Sequence, residues 1–132
     1  MIAKDHIWHV TATTEEFGYL IRHEGILFEQ DGQQFILHRT FGGAEIIPLS
    51  SFTAKRKILF KKEYKLKHDV DLDEILLNEQ QDEFELINNN CENFCNDFIN
   101  AYTYTRRSRF SKQVLFWIIL ATIILYATYK NR

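Results

Sequence analysis

The chain has 132 residues, 45% of them hydrophobic and 14% aromatic, enough apolar material for one folded domain and too much for a disordered chain. Its formal net charge is −2, so no overall basic excess points to nucleic acid. Two cysteines four residues apart make neither a disulfide framework nor a four-ligand zinc set, and no metal or other cofactor is implied.

The first residues, Met1 to His9, lack the continuous apolar core of a signal peptide. Residues 1–20 show little periodicity, and Thr13 with Glu16 three later suggests a short capped turn. His6 and His9 lie three apart with no further ligands nearby, which reads as packing or exposed histidines. Residues 21–41 read as a β-hairpin: two β-rich runs flank Asp31-Gly32, the pair a type I′ turn prefers. A two-residue loop there makes His38 face Gly25 and His23 face Thr40. Parity then puts His23, Gly25 and His38 on one face, with the imidazoles as diagonal neighbours and no side chain at Gly25 between them. Phe41 to Ala44 is a loop, and Pro48 demotes residues 46–49 to an edge segment. Residues 55–68 concentrate Lys and Arg among apolar residues, a strand with a basic solvent face that reads equally as a solvated edge or as a contact for anionic headgroups. Asp71 caps a helix with Glu74 three later, and residues 84–87 form an extended link.

Asn88-Asn89-Asn90 is a turn signal, and the stretch behind it is helical. Phe94, Cys95, Phe98, Ile99 and Tyr102 repeat at the helical period, with Asn90 as N-cap. Cys91 therefore stands in the first turn, where unpaired N–H groups and the helix dipole favour a thiolate; it is the candidate nucleophile. Cys95 falls on the apolar side and reads as core. Arg106, Arg107, Arg109 and Lys112 make residues 106–112 a basic juxtamembrane linker. Residues 113–130 are almost wholly apolar and read as a transmembrane tail anchor, with Trp117, Tyr126 and Tyr129 at its interfaces. The expected fold is α+β: a small antiparallel sheet in residues 1–105 packed on the Cys91 helix, followed by a C-terminal transmembrane helix. The expected location is a membrane, with the globular part on the cytoplasmic side.

His23-Glu24-Gly25-Ile26, the His38 strand end and Asn90-Cys91-Glu92-Asn93-Phe94 come in the order His, His, Cys. This resembles the lecithin:retinol acyltransferase-like family, including its H-Ras-like suppressor phospholipase/acyltransferases, over about residues 18–103. The corresponding family patterns are His-x-Gly/Ala-Ile and Asn-Cys-Glu-His-Phe. The resemblance implies a circularly permuted papain-like fold and thioester chemistry on phospholipid or other acyl-ester lipids. It makes Cys91 the nucleophile, His23 the base and His38 the residue that orients His23. Asn93 stands where the family has His, and the His23–His38 separation is slightly longer than usual. Two other functions fit the same residues: a permuted papain-like peptidase or amidase, and a non-catalytic membrane-tethered binding domain.

Overall fold

The computed structural model describes residues 1–15, 18–79, 90–107 and 112–131. Its elements are β1 (Ile2–Ala3), β2 (His6–Thr14), β3 (Gly18–Gln30), β4 (Gln33–Thr40), β5 (Gly43–Pro48), α1 (Leu49–Thr53), β6 (Ile58–Lys65), β7 (Val70–Asp71), α2 (Leu72–Glu79), α3 (Cys91–Tyr102) and α4 (Lys112–Lys130). The chain is α+β, and its sheets are antiparallel. Five strands run in the order β5-β4-β3-β2-β6, and β1 pairs with β7 in a separate ribbon.

The β3/β4 hairpin has the expected register. Asp31 and Gly32 both take positive φ (52° and 78°), as a type I′ turn requires, and Gly25 faces His38. Pairing stops at that point. β4 continues to Thr40 along β5, so the expected His23–Thr40 pair does not form, and β3 runs on from Gly25 back to Gly18 with β2 as its ladder partner.

Alternation along the strands creates two apolar faces. On one, Ile7, Ile26, Phe28, Leu37 and Tyr64 pack against Phe94, Cys95, Phe98 and Ile99 of α3 and Leu72 and Ile75 of α2. On the other, Val10, Ala12, Leu27 and Ile36 pack against Phe52 of α1. The first face is the larger. Burying Phe94, Phe98 and Ile99 alone contributes roughly 4–9 kcal/mol at ~1.5–3 kcal/mol per side chain. Asn90 caps α3 as expected, its Oδ1 accepting from the Asn93 N–H at 2.8 Å. Asp71 accepts from the Asp73 N–H at 3.0 Å at the start of α2.

Several expectations change. Residues 6–14 form a nine-residue strand, with Thr13 inside it rather than capping a turn; Glu16 lies outside the described residues. Sparse periodicity there reflects a strand whose two faces are both largely covered. The short helix α1 follows Pro48, whose ring suits a helix entrance. The basic strand β6 is the sheet edge, where exposed Lys61, Lys62 and Lys65 discourage pairing with another chain. The extended link at 84–87 lies outside the described residues.

The C-terminal segment requires a correction. Residues 112–130 form one helix, but among the described residues no helix is long and apolar enough to cross a membrane. The single-pass anchor expected over 113–130, and the membrane localisation drawn from it, are not supported. Thr122, Tyr126, Thr128 and Tyr129 interrupt the run. Its longest wholly apolar part, 114–121, covers about 12 Å at ~1.5 Å per residue, against a hydrocarbon core of ~30 Å.

Candidate functional site

The hairpin register brings the two sequence-predicted histidines together. His23 Nε2 lies 2.7 Å from His38 Nδ1, and His38 Nε2 lies 2.8 Å from Glu45 Oε1 on β5. Glu45 sits directly across the β4/β5 ladder from His38. The proton positions follow from the acceptor at the far end. The Glu45 carboxylate can only accept, so His38 Nε2–H donates to it and His38 Nδ1 is an acceptor. His23 Nε2–H then donates to His38 Nδ1, which leaves His23 Nδ1 as the nitrogen that can take a proton.

Phe52 holds both rings. His23 stacks on it with centroids 5.8 Å apart, and His38 meets it edge-on at 5.7 Å. Gly25 leaves the space that the imidazoles need: a Cβ there would fall 2.7 Å from Ile36 Cγ2 and 3.4 Å from His38 Cβ. Burial lowers the pKa of His23 to about 3, with help from the neighbouring His38 and Arg56. His38 is also lowered, chiefly by burial, while the charge and hydrogen bond of Glu45 oppose that shift. Both rings are neutral near pH 7.

Cys91 is placed differently from the expectation. It stands in the first turn of α3, as the helical spacing predicts, but it is buried at 6% exposure. α3 packs on the face opposite α1, and the rings of His23 and His38 project toward α1. Among the described residues no hydrogen bond or ion pair joins Cys91 to either imidazole. The sulfur instead receives backbone N–H groups of Glu24 and Glu92. Glu24 is the neighbour of His23, at the point where β4 leaves β3. Burial, then the Glu24 and Glu92 carboxylates, push the thiol up to about 12; the N–H groups offset only part of this. The first-turn position favours a thiolate, but desolvation beside two carboxylates outweighs it. Cys95 is fully buried core, as expected, and its thiol is raised well above the ordinary range by burial. Among the described residues no cluster of three or more ligating side chains could hold a metal ion.

The α3 face also carries a polar group that sequence reasoning missed. His9 is buried at 4% exposure, with Nε2 3.2 Å from Glu24 Oε1 but without hydrogen-bond geometry. Thr11 Oγ1 donates to the same carboxylate oxygen at 3.2 Å. Arg107 reaches in from beyond α3, its Nη1 donating to His9 Nδ1 and, at 3.2 Å, to the Tyr64 hydroxyl. These groups line a cavity of about 450 Å³ between β2, β3, β6 and the start of α4. Strand alternation could have placed Glu24 opposite His23, but no local signal marked Arg107, 98 positions from His9, as its partner. Glu45 was equally invisible until the β4/β5 register was known.

Comparison with protein-family models, with curated proteins and with solved structures finds no match.

Proposed function

We propose that the chain is a thiol-dependent acyl hydrolase or acyltransferase acting on phospholipid or another acyl-ester lipid. Cys91 is the nucleophile, His23 the base, and His38, backed by Glu45, the positioning residue. The observation that carries this reading is the hydrogen-bonded chain His23–His38–Glu45, which fixes tautomer and ring orientation and leaves His23 Nδ1 as the proton acceptor.

In this mechanism the thiol proton passes to His23 Nδ1 as sulfur attacks the ester carbonyl. The S–C bond forms, the ester C–O bond breaks, and the alcohol leaves with the proton from His23. Water or another acceptor then attacks the thioester and returns the thiol. The Cys91 N–H at the helix start serves as an oxyanion donor. With the thiol at about 12 and His23 at about 3, the resting enzyme holds no thiolate–imidazolium pair. Proton transfer accompanies acyl attack, and it requires sulfur and ring, which lie on opposite faces of the sheet, to come together where β4 leaves β3 beyond Gly25.

A second reading is favoured by the burial of Cys91 and by the rings lying on the opposite face of the sheet: a binding domain that keeps the relay only as a satisfied polar network. Incubation of the full chain with phospholipid vesicles separates the two. The enzyme reading expects fatty-acid release or transfer that disappears in Cys91→Ala and His23→Ala. Equal rates in wild type and both variants, or no turnover at all, would leave the binding domain.

A further inference from the structure

We propose that β6 is a docking edge for an acidic, extended peptide, which adds to the five-stranded sheet as a sixth strand. Among the described residues β6 has β2 as its one ladder partner, so its outer side from Ile58 to Tyr64 is a free sheet edge. The far end is closed: Leu66 bridges Thr103, and the Lys67 N–H donates to the Tyr102 carbonyl at 2.9 Å. Seven residues of open edge match the length of an ordinary strand. Unpaired N–H and C=O groups along such an edge are a template for one more strand, and the side chains decide which strand is admitted.

Charge selects an acidic partner. Residues 55–67 hold seven cations and one acid, Glu63, whose Oε1 lies 3.8 Å from His6 Nδ1. β2 behind the edge carries no acid, and Asp5 lies beside Leu66 at the closed end. Arg22 adds a further cation, its guanidinium 5.8 Å over the Phe60 ring. Lys61 and Lys62 are exposed, and neither joins an ion pair among the described residues; Lys62 Nζ rests 5.3 Å over the Tyr64 ring.

The placement of these lysines favours a strand over a flat anionic surface. Register with β2 sets Lys61 beside Val10, on the face covered by α1, and Lys62 beside His9, on the face covered by α3. A lipid surface lies in one plane and meets one face. An added strand alternates between both faces, so two consecutive acids reach both lysines. Phe60 is 52% exposed on the Lys62 side and offers an apolar contact to the residue that follows the acids in an antiparallel strand. A second copy's β6 would bring like charge against like. The lysines that discourage indiscriminate pairing therefore make the edge selective. The inference does not involve acyl transfer by Cys91, so either can fail without the other.

The test is fluorescence anisotropy of the full chain with a labelled, end-capped peptide, Thr-Val-Thr-Glu-Glu-Phe-Thr-Val, and with its Lys-Lys counterpart. The expected result is saturable binding of the acidic peptide, at least about tenfold tighter than the basic one and weakened by salt; tenfold corresponds to ~1.4 kcal/mol. Hydrogen exchange of the β6 amides should slow in the complex. The acidic peptide with both glutamate amides N-methylated keeps its charge but loses whichever N–H meets β6, and should bind at least about tenfold more weakly. Lys61→Glu with Lys62→Glu, at exposed positions, should exchange the preference, releasing the acidic peptide and taking up the basic one. No binding of the acidic peptide, equal binding of its N-methylated form, or unchanged β6 exchange overturns the proposal. So does capture by phosphatidylcholine vesicles holding phosphatidylserine without binding of the peptide, or slowing of β6 exchange with protein concentration alone, which would make the occupant a second copy.

Discussion

Gly25→Ala tests whether the space between the two imidazoles is as tight as the packing requires. The added Cβ would sit 2.7 Å from Ile36 Cγ2, 3.3 Å from the Leu37 carbonyl oxygen and 3.4 Å from His38 Cβ. Ile36 is fully buried beneath Phe52 and cannot swing into solvent, and the Leu37 oxygen belongs to the ladder. Overpacking of this kind costs about 1–3 kcal/mol. Replacing glycine within a strand returns about 0.5–1 kcal/mol of backbone entropy. The net expectation is a loss of roughly 0.5–2 kcal/mol, a Tm drop of about 2–10 °C for a domain of this size. Urea melts of wild type and variant, read by circular dichroism, measure it through the shift in midpoint at constant slope. The same displacement pushes His38 away from His23, so acyl release should fall with stability. The Ile36 methyl is what makes this position tight. A Gly25→Ala protein as stable as wild type, with unchanged turnover, would refute the packing argument.

Four further outcomes are expected. Cys91 alkylation by iodoacetamide should be slow at pH 7–9 and rise only toward about pH 12, because burial and the Glu24 carboxylate hold the thiol protonated; a midpoint at or below the ~8.5 of a free thiol contradicts this. His23, depressed to about 3, stays neutral in the folded state while the unfolded chain takes up its proton below ~6.5. Stability should therefore fall as pH drops from about 6.5 toward 3, and His23→Gln should flatten that dependence in urea midpoints. Glu45→Gln, at a side chain 52% exposed, should leave the fold intact and cut acyl release by about tenfold or more, part of the ~10²–10⁴ that a positioned base supplies; unchanged turnover would remove Glu45 from the relay. Asn90→Ala should cost about 1 kcal/mol by removing the cap of α3, measured by the same melts.

The parts of the fold set by local chemistry were legible in the sequence. Asp31-Gly32 defines the hairpin register, and the spacing of Phe94, Cys95, Phe98 and Ile99 defines the buried face of α3. The pairing of His23 with His38 followed from parity alone. What local patterns could not show was which face of the sheet each helix covers. Phe52, in a five-residue helix behind Pro48, claims the face bearing the histidines, and α3 claims the other. That choice depends on the volumes of both cores, so the placement of Cys91 away from the imidazoles was not readable from its helix position. Its acidity was misjudged for the same reason: the first-turn dipole is a local property, whereas desolvation beside Glu24 arises only when the helix docks on β3. At the C-terminus, composition suggested a membrane span, but among the described residues no helix is long and apolar enough to cross one.

The central claim is that sulfur and imidazole cooperate in acyl transfer, and mass spectrometry of the Cys91 peptide tests it most directly. After brief incubation with phospholipid vesicles and acid quenching, wild type should carry a fatty-acyl thioester on Cys91 that hydroxylamine removes, and His23→Ala should carry none. A bare Cys91 while lipid is being consumed, or equal acylation without His23, contradicts the account.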